Sequence, residues 1–164
     1  MRGTSAAVLF VVLAWSTAIS IHAASLERVS AKLARGDFVE AARDLAPLAA
    51  RGDARAQAML GFLYETGQGV PQAYDAAAYW YCQAAERGDA SAQYLLGLAY
   101  DKGHGVPQND VVAYKWLDLA AAHAPKTLRD PFARLRDAVA SKMSKAQIRA
   151  GQRLALSWSA GRRF

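Results

Sequence analysis

The chain has 164 residues, with 20 Lys or Arg against 14 Asp or Glu, a net charge of +6, three His and one Cys. That length holds one ordinary domain, and a single cysteine excludes an intramolecular disulfide framework. Three histidines with no dense acidic cluster beside them offer little material for a metal centre.

The first 24 residues differ in kind from the rest. Arg2 is their only charge, residues 6–21 form an apolar run with a few Ser and Thr, and Ile21-His22-Ala23 has the spacing of a small-residue cleavage site, with a second option after Ala24. This is the pattern of a secretory signal peptide. The other reading is an uncleaved anchor, but the run is shorter than the ~20 apolar residues a spanning helix needs. No Cys lies near the site, which argues against a lipoprotein. Cleavage leaves about 140 residues, one domain by length, with 19 basic and 14 acidic residues, a net charge of +5, and no integral membrane segment. An exported chain does not meet nucleic acid, so its positive charge does not read as a nucleic-acid footprint.

Residues 25–53 read as a pair of helices, Ser25–Arg35 and Phe38–Ala50, joined by Gly36-Asp37. Leu26, Val29 and Leu33 form one apolar stripe, and Phe38, Ala41, Ala42, Leu45 and Leu48 the other. Pro47, late in the second helix, is expected to bend it.

The next stretch is written twice. A shift of 36 residues lays Arg51-Gly52-Asp53-Ala54 on Arg87-Gly88-Asp89-Ala90, and 18 of the 36 positions from 51 to 86 match their partner. A fixed period in this range marks a repeat architecture. Ala56, Leu60, Gly61 and Tyr64 recur at helical spacing. Gly67 and Gly69 then break the helix, Val70 tucks under the loop, and Pro71 precedes a second helix with Ala77, Trp80 or Tyr81, Ala84 and Ala85 on one stripe. Asn109 is placed to cap that helix in the second copy. Gly88-Asp89 ends one unit and begins the next.

The pattern A-x-A-Q-x-x-L-G-x-x-Y-x-x-G-x-G-V-P-Q, followed by A-x-x-W and A-A-x-x-G, resembles the SEL-one-like repeat, a relative of the tetratricopeptide repeat. Two units carry it, 54–89 and 90–125, and the second departs at its end, where Ala124-Pro125 replaces Gly88-Asp89. The resemblance implies an all-α fold, a right-handed α-solenoid of antiparallel helix pairs with about eight helices. In that frame residues 25–53 form an N-terminal cap with a tetratricopeptide-like G-D-F-x-x-A turn. Residues 126–164 form C-terminal capping helices, and the M-S-x-x-Q-I-x-x-x-Q-R-L-A wording is similar to a cap of this family. Such ends keep the last apolar face out of water.

Within that C-terminal segment, Pro125 stops a helix and Leu128–Lys142 reads as another, with Phe132, Leu135, Val139 and Met143 in register. Ser144-Lys145-Ala146-Gln147 is a capping box. It opens a last helix bearing Ile148, Leu154 and Trp158. From Lys126 onward there are 10 Lys or Arg and two Asp, whereas residues 25–125 carry 9 basic and 12 acidic residues. The basic end could meet an acidic partner or an anionic surface, or could be a solvated face.

Candidate chemistry is sparse: no catalytic, cofactor-binding or metal-binding residues are assigned. His104 stands where the first copy has Gln68, so the repeat does not require imidazole. His123 closes a helix, where a cation meets the negative dipole end. Cys82 has Asp118 as its partner in the second copy, so it reads as a half-buried thiol or an intermolecular one. The repeated Leu60, Gly61, Tyr64, Gly67, Gly69 and Trp80, with Leu96, Gly97, Tyr100, Gly103, Gly105 and Trp116, are expected to build the structural core. By resemblance, the first helix of each unit lines a concave surface. That surface would carry Arg55, Ala58, Phe62 and Glu65, then Ser91, Tyr94, Leu98, Asp101 and Lys102. Phe62, Tyr94 and Leu98 are either a groove for a peptide or contacts to a neighbouring helix.

The family implies a scaffold that holds another protein, with adaptor or regulatory roles. For an exported chain the site of action is expected to be the periplasm or cell envelope of a Gram-negative bacterium, or outside it. An immunity or inhibitor protein against a secreted toxin is a special case of binding. A cell-wall hydrolase is the alternative from another class, for which the sequence offers no constellation.

Overall fold

The computed structural model describes residues 25–160, with side chains as far as Trp158. The leader and its cleavage site, residues 1–24, lie outside the described residues. Among the described residues there are eight helices and no strand. They are α1 (25–35), α2 (Phe38–Ala50), α3 (Ala54–Thr66), α4 (Tyr74–Glu86), α5 (Ala90–Lys102), α6 (Asp110–His123), α7 (Lys126–Ala140) and α8 (Lys145–Ala160). Each packs mainly on its chain neighbours, and α8 returns to pack on α6, so the elements stack as a solenoid.

Local chemistry sets the boundaries. Asp53 and Asp89 adopt extended backbone, and their Oδ1 atoms accept hydrogen bonds from the Ala56 and Ala92 amides at 2.7 and 2.8 Å, satisfying two otherwise unpaired helix donors. α3 and α5 stop at Gly67 and Gly103, whose φ of 69° and 72° belongs to the left-handed region. Asn109 caps α6 through two 3.1 Å bonds from Val111 and Val112. Ser144 and Gln147 form the reciprocal box that opens α8. The repeated Gln72 and Gln108 also have a reason: their amides donate to the Glu65 and Asp101 carbonyls, closing the loop onto the helix before it.

Close packing explains the repeated glycines. A Cβ on Gly61 would meet the Tyr81 ring at 2.7 Å, and one on Gly97 would meet Leu117 at 2.7 Å. A Cβ on Gly69 would stand 2.3 Å from the Phe38 carbonyl carbon, and one on Gly105 would stand 2.0 Å from the Tyr74 carbonyl oxygen. Phe38 and Tyr74 open α2 and α4, 36 residues apart. The period therefore reaches back into the N-terminal pair: α2 holds the place of a second helix, with Leu45 buried where the next unit buries Tyr81.

Two core expectations and the bounds of one helix are corrected. In α4 the ring at the centre of the core is Tyr81, 1% exposed, and Trp80 is only half-buried, whereas Trp116 is 3% exposed. Leu33 keeps its expected place on the stripe of Leu26 and Val29, half-buried at the edge of the first cluster. Leu154 faces outward, because α8 docks through Gly151, Ala155 and Trp158, a stripe that passes to one side of position 154. Finally, α7 runs from Lys126 to Ala140 and α2 continues through Pro47. Met143 lies past the end of α7 and packs with Leu117 and Val139.

Candidate partner-binding groove

The first helices α1, α3 and α5 lie side by side, and a cleft of about 310 Å³ opens along them. Leu33, Ala58, Met59, Phe62 and Leu95 give it an apolar floor, and Arg55, Asp89 and Ser91 stand at one end. Phe62 is 45% exposed, a large ring left in water on an otherwise well-packed helix. This volume falls in the range of small binding clefts.

Of the nine residues expected on the concave face, the cleft brings together Arg55, Ala58, Phe62 and Ser91. Ala58 contributes only an edge, since it is 6% exposed and belongs to the core shared with α5. Tyr94, its partner in the second copy, is not in the groove. Its ring stacks on Phe132 of α7 with centroids 4.4 Å apart. Both observations have one cause: this position faces the next first helix, so a small residue suits the α3–α5 contact and a large one fills the α5–α7 contact. Glu65 is turned toward its own second helix, where its Oε2 accepts the Tyr81 hydroxyl hydrogen bond at 2.7 Å. Asp101 is held by Lys142, which also reaches Asp110 at 3.5 Å. Leu98 is half-buried and Lys102 exposed, both beyond the cleft lining.

Met59 and Leu95 were missed. They occupy one repeat position and are apolar in both copies, so they carry the signature of core. Their half-exposed placement follows from the turn of the helix: positions 55, 59 and 62 share a face, as do 91 and 95.

The electrostatics of the cleft centre on Asp89. Burial raises its carboxyl above the ordinary range, outweighing the lowering by the Ala92 and Ser91 amides and by Arg55. Elsewhere, burial pushes the Tyr81 phenol far above its usual value, and the bond to Glu65 adds to this. The Cys82 thiol is exposed at one edge, yet burial of its flank, then Glu86, raise it, so it is a weak nucleophile. His104 lies on the Tyr74 ring at 4.5 Å between centroids. Among the described residues, no group of three or more His, Cys, Asp or Glu could hold a metal ion, and no helix is long and apolar enough to cross a membrane.

Residues 54–89 and 90–124 match the Sel1 repeat. The chain is similar to the crystal structure of a protective antigen of uropathogenic Escherichia coli strains displaying an SLR fold, with a TM-score of 0.73 and 26% identity over 85% of this chain and 30% of that one. It is also similar to a Sel1 repeat protein from Oxalobacter formigenes, with a TM-score of 0.62 and 28% identity over 82% of this chain and 54% of that one. It therefore spans about a third and about half of the lengths of these two proteins. No curated protein matches it.

Proposed function

We propose that this chain, which carries two Sel1 repeats in a solenoid similar to known SLR folds, is an exported scaffold holding a segment of another protein along α3 and α5. Sel1 repeats mediate protein–protein interaction, and the observation that carries the finer reading is Phe62. A ring 45% exposed in an apolar cleft, with Arg55 and Asp89 at its rim, has the make-up of an interface anchor inside a polar border. The complement is an extended or helical segment with one or two large apolar side chains for the cleft and polar groups for the rim.

The leader supports action in the periplasm or cell envelope, or outside the cell, in an adaptor or regulatory role. The repeat itself does not require the imidazole of His104, since the first copy has Gln68 in its place. The basic α7 and α8 would steer an acidic partner or an anionic surface rather than grip it.

The test has two parts. The chain and its Phe62→Ala variant are used as bait on envelope extract, and cells are fractionated for the native protein. A partner retained by the parent and lost by the variant, with the protein in the periplasmic fraction, is the expected result. Retention of the same partners by both would remove the groove, and a cytoplasmic protein would remove the export reading.

A further inference from the structure

A second cavity, of about 410 Å³, lies between α1 and α2 at the opposite end of the stack from α8. Four cationic side chains line it: Arg28 and Lys32 from α1, Arg43 and Arg51 from α2. Residues 25–125 carry only nine basic residues against twelve acidic ones, so almost half of their positive charge converges on this one cavity. Asp44 is the one carboxylate among the lining residues, and it is engaged by Lys32 at 2.8 Å. Lys32 also lies 3.8 Å from Glu40, outside the lining. Among the described residues neither Arg43 nor Arg51 forms an ion pair, and Arg28 bonds only to the Ser25 hydroxyl, at 3.3 Å.

The repeat register shows that this is a departure from the pattern. Position 44 corresponds to Trp80 and Trp116, which pack against the cluster of the preceding unit. Here an aspartate replaces the tryptophan and fixes a lysine. Position 43 corresponds to Tyr79 and position 47 to Gln83, and the chain has Arg43 and Pro47 instead. Pro47 lacks an amide hydrogen, so the usual helical bond to the Arg43 carbonyl is missing. The stack end is thus cationic around a floor of Val29 and Leu48, both buried.

We infer that this cavity binds a phosphate ester: a phosphoryl group against Arg43, Arg51 and Arg28, with its small organic body over Val29, Leu48 and Pro47. Guanidinium forks match phosphate oxygens in pairs, and three forks suit a tetrahedral group better than a flat carboxylate, which offers two oxygens. The volume exceeds that of a bare ion and leaves room for a glycerol-sized body. The same chemistry is offered by a free phosphate ester and by a phospholipid headgroup, and this site is independent of the groove on α3 and α5.

The purified chain is titrated with glycerol 3-phosphate by calorimetry and by amide chemical shifts, and is sedimented with phosphatidylglycerol or phosphatidylcholine vesicles. Two double variants, Arg43→Gln with Arg51→Gln and Arg149→Gln with Arg153→Gln, run beside the parent, all at exposed positions and checked by circular dichroism. Saturable glycerol 3-phosphate binding, with shifts at Val29 and Leu48 and a loss of tenfold or more in the first variant only, supports a free ester. Selective sedimentation with phosphatidylglycerol, lost in the first variant only while the soluble titration is silent, supports a headgroup. No saturable binding to either probe, or binding that the first variant leaves within twofold of the parent, overturns the assignment. An equal loss in both variants also overturns it, because it reports net charge alone.

Discussion

Gly61 lies under the ring of Tyr81, so close that a Cβ on it would stand 2.7 Å from two ring carbons and 3.2 Å from the Ala77 carbonyl. The ring cannot swing away, because its hydroxyl is tied to Glu65 and its face is buried. Gly97 stands in the same relation to Leu117, which is equally buried but has no hydroxyl bond anchoring it. Gly61→Ala is therefore expected to cost more than Gly97→Ala, with the first in the range of about 1–3 kcal/mol for overpacking. Denaturant titration of both variants checks the order.

Phe62 and Tyr94 separate binding from stability. Phe62→Ala removes an exposed ring and is expected to change the melting temperature little while weakening partner capture. Tyr94→Ala removes the stack on Phe132 and is expected to destabilise by about 2–4 kcal/mol, as loss of a largely packed aromatic does. Equal melting temperatures for the two variants would contradict the placement of Tyr94 between α5 and α7.

The two buried glutamines differ in one atom. Gln57 and Gln93 both donate through Nε2, to the Ala49 and Ala85 carbonyls at 3.0 and 3.1 Å. Gln93 Oε1 also meets His123 Nδ1 at 2.9 Å, whereas Gln57 Oε1 has no hydrogen-bond partner among the described residues. Gln93→Leu leaves the Ala85 carbonyl unmet and also loses the His123 contact, whereas Gln57→Leu leaves only the Ala49 carbonyl, so the first is expected to cost more. Thermal unfolding of the two single variants measures the gap.

Asp89 gives a pH dependence whose sign is opposite to that of a salt-bridged carboxylate. Its pKa is raised in the folded state, so the folded chain holds that proton more tightly than the unfolded one. The cost of the buried charge is present at neutral pH and is relieved as pH falls through the raised value toward the ordinary range. Asp89→Asn keeps a capping oxygen without the charge. It is expected to be at least as stable as the parent at pH 7, and the difference is expected to shrink toward pH 4 in paired melting curves.

His104→Gln substitutes what the first copy already uses. The loop geometry rests on Gly103, Gly105 and Gln108, and the imidazole contributes a stack on Tyr74. Partner binding and the helical spectrum are expected to be unchanged. Loss of function with an intact spectrum would restore a chemical role for the ring.

The order of helices and the repeated glycines were legible because they recur: two copies that agree at Gly61 and Gly67 expose a backbone requirement that one copy would hide, whereas the caps at Asn109 and Ser144 were legible from local pattern alone and those at Asp53 and Asp89 emerged only in the structure. The same logic misplaced residues wherever recurrence and burial part company. Trp80 recurs but lies at an edge, whereas its repeat partner Trp116 is buried against Trp158 of α8. Tyr94 differs from Ala58 and so resembled a binding position, but the difference reports the spacing between successive first helices. Met59 and Leu95 agree and resembled core, but line the cleft. The helix face that a position presents depends on the angle between neighbouring units, and a single unit's periodicity does not contain that angle.

The contacts of Gly69 and Gly105 run one way along the chain. Each loop closes over the opening residue of a helix made some thirty residues earlier, Phe38 for the first and Tyr74 for the second. As the chain emerges from the ribosome, every new rung thus finds its latch already in place, and none has to wait for sequence still to come. Growth from the N-terminal end needs no rearrangement of what is already built. A unit duplicated in tandem would find the same latch, which makes lengthening by whole 36-residue steps mechanically undemanding.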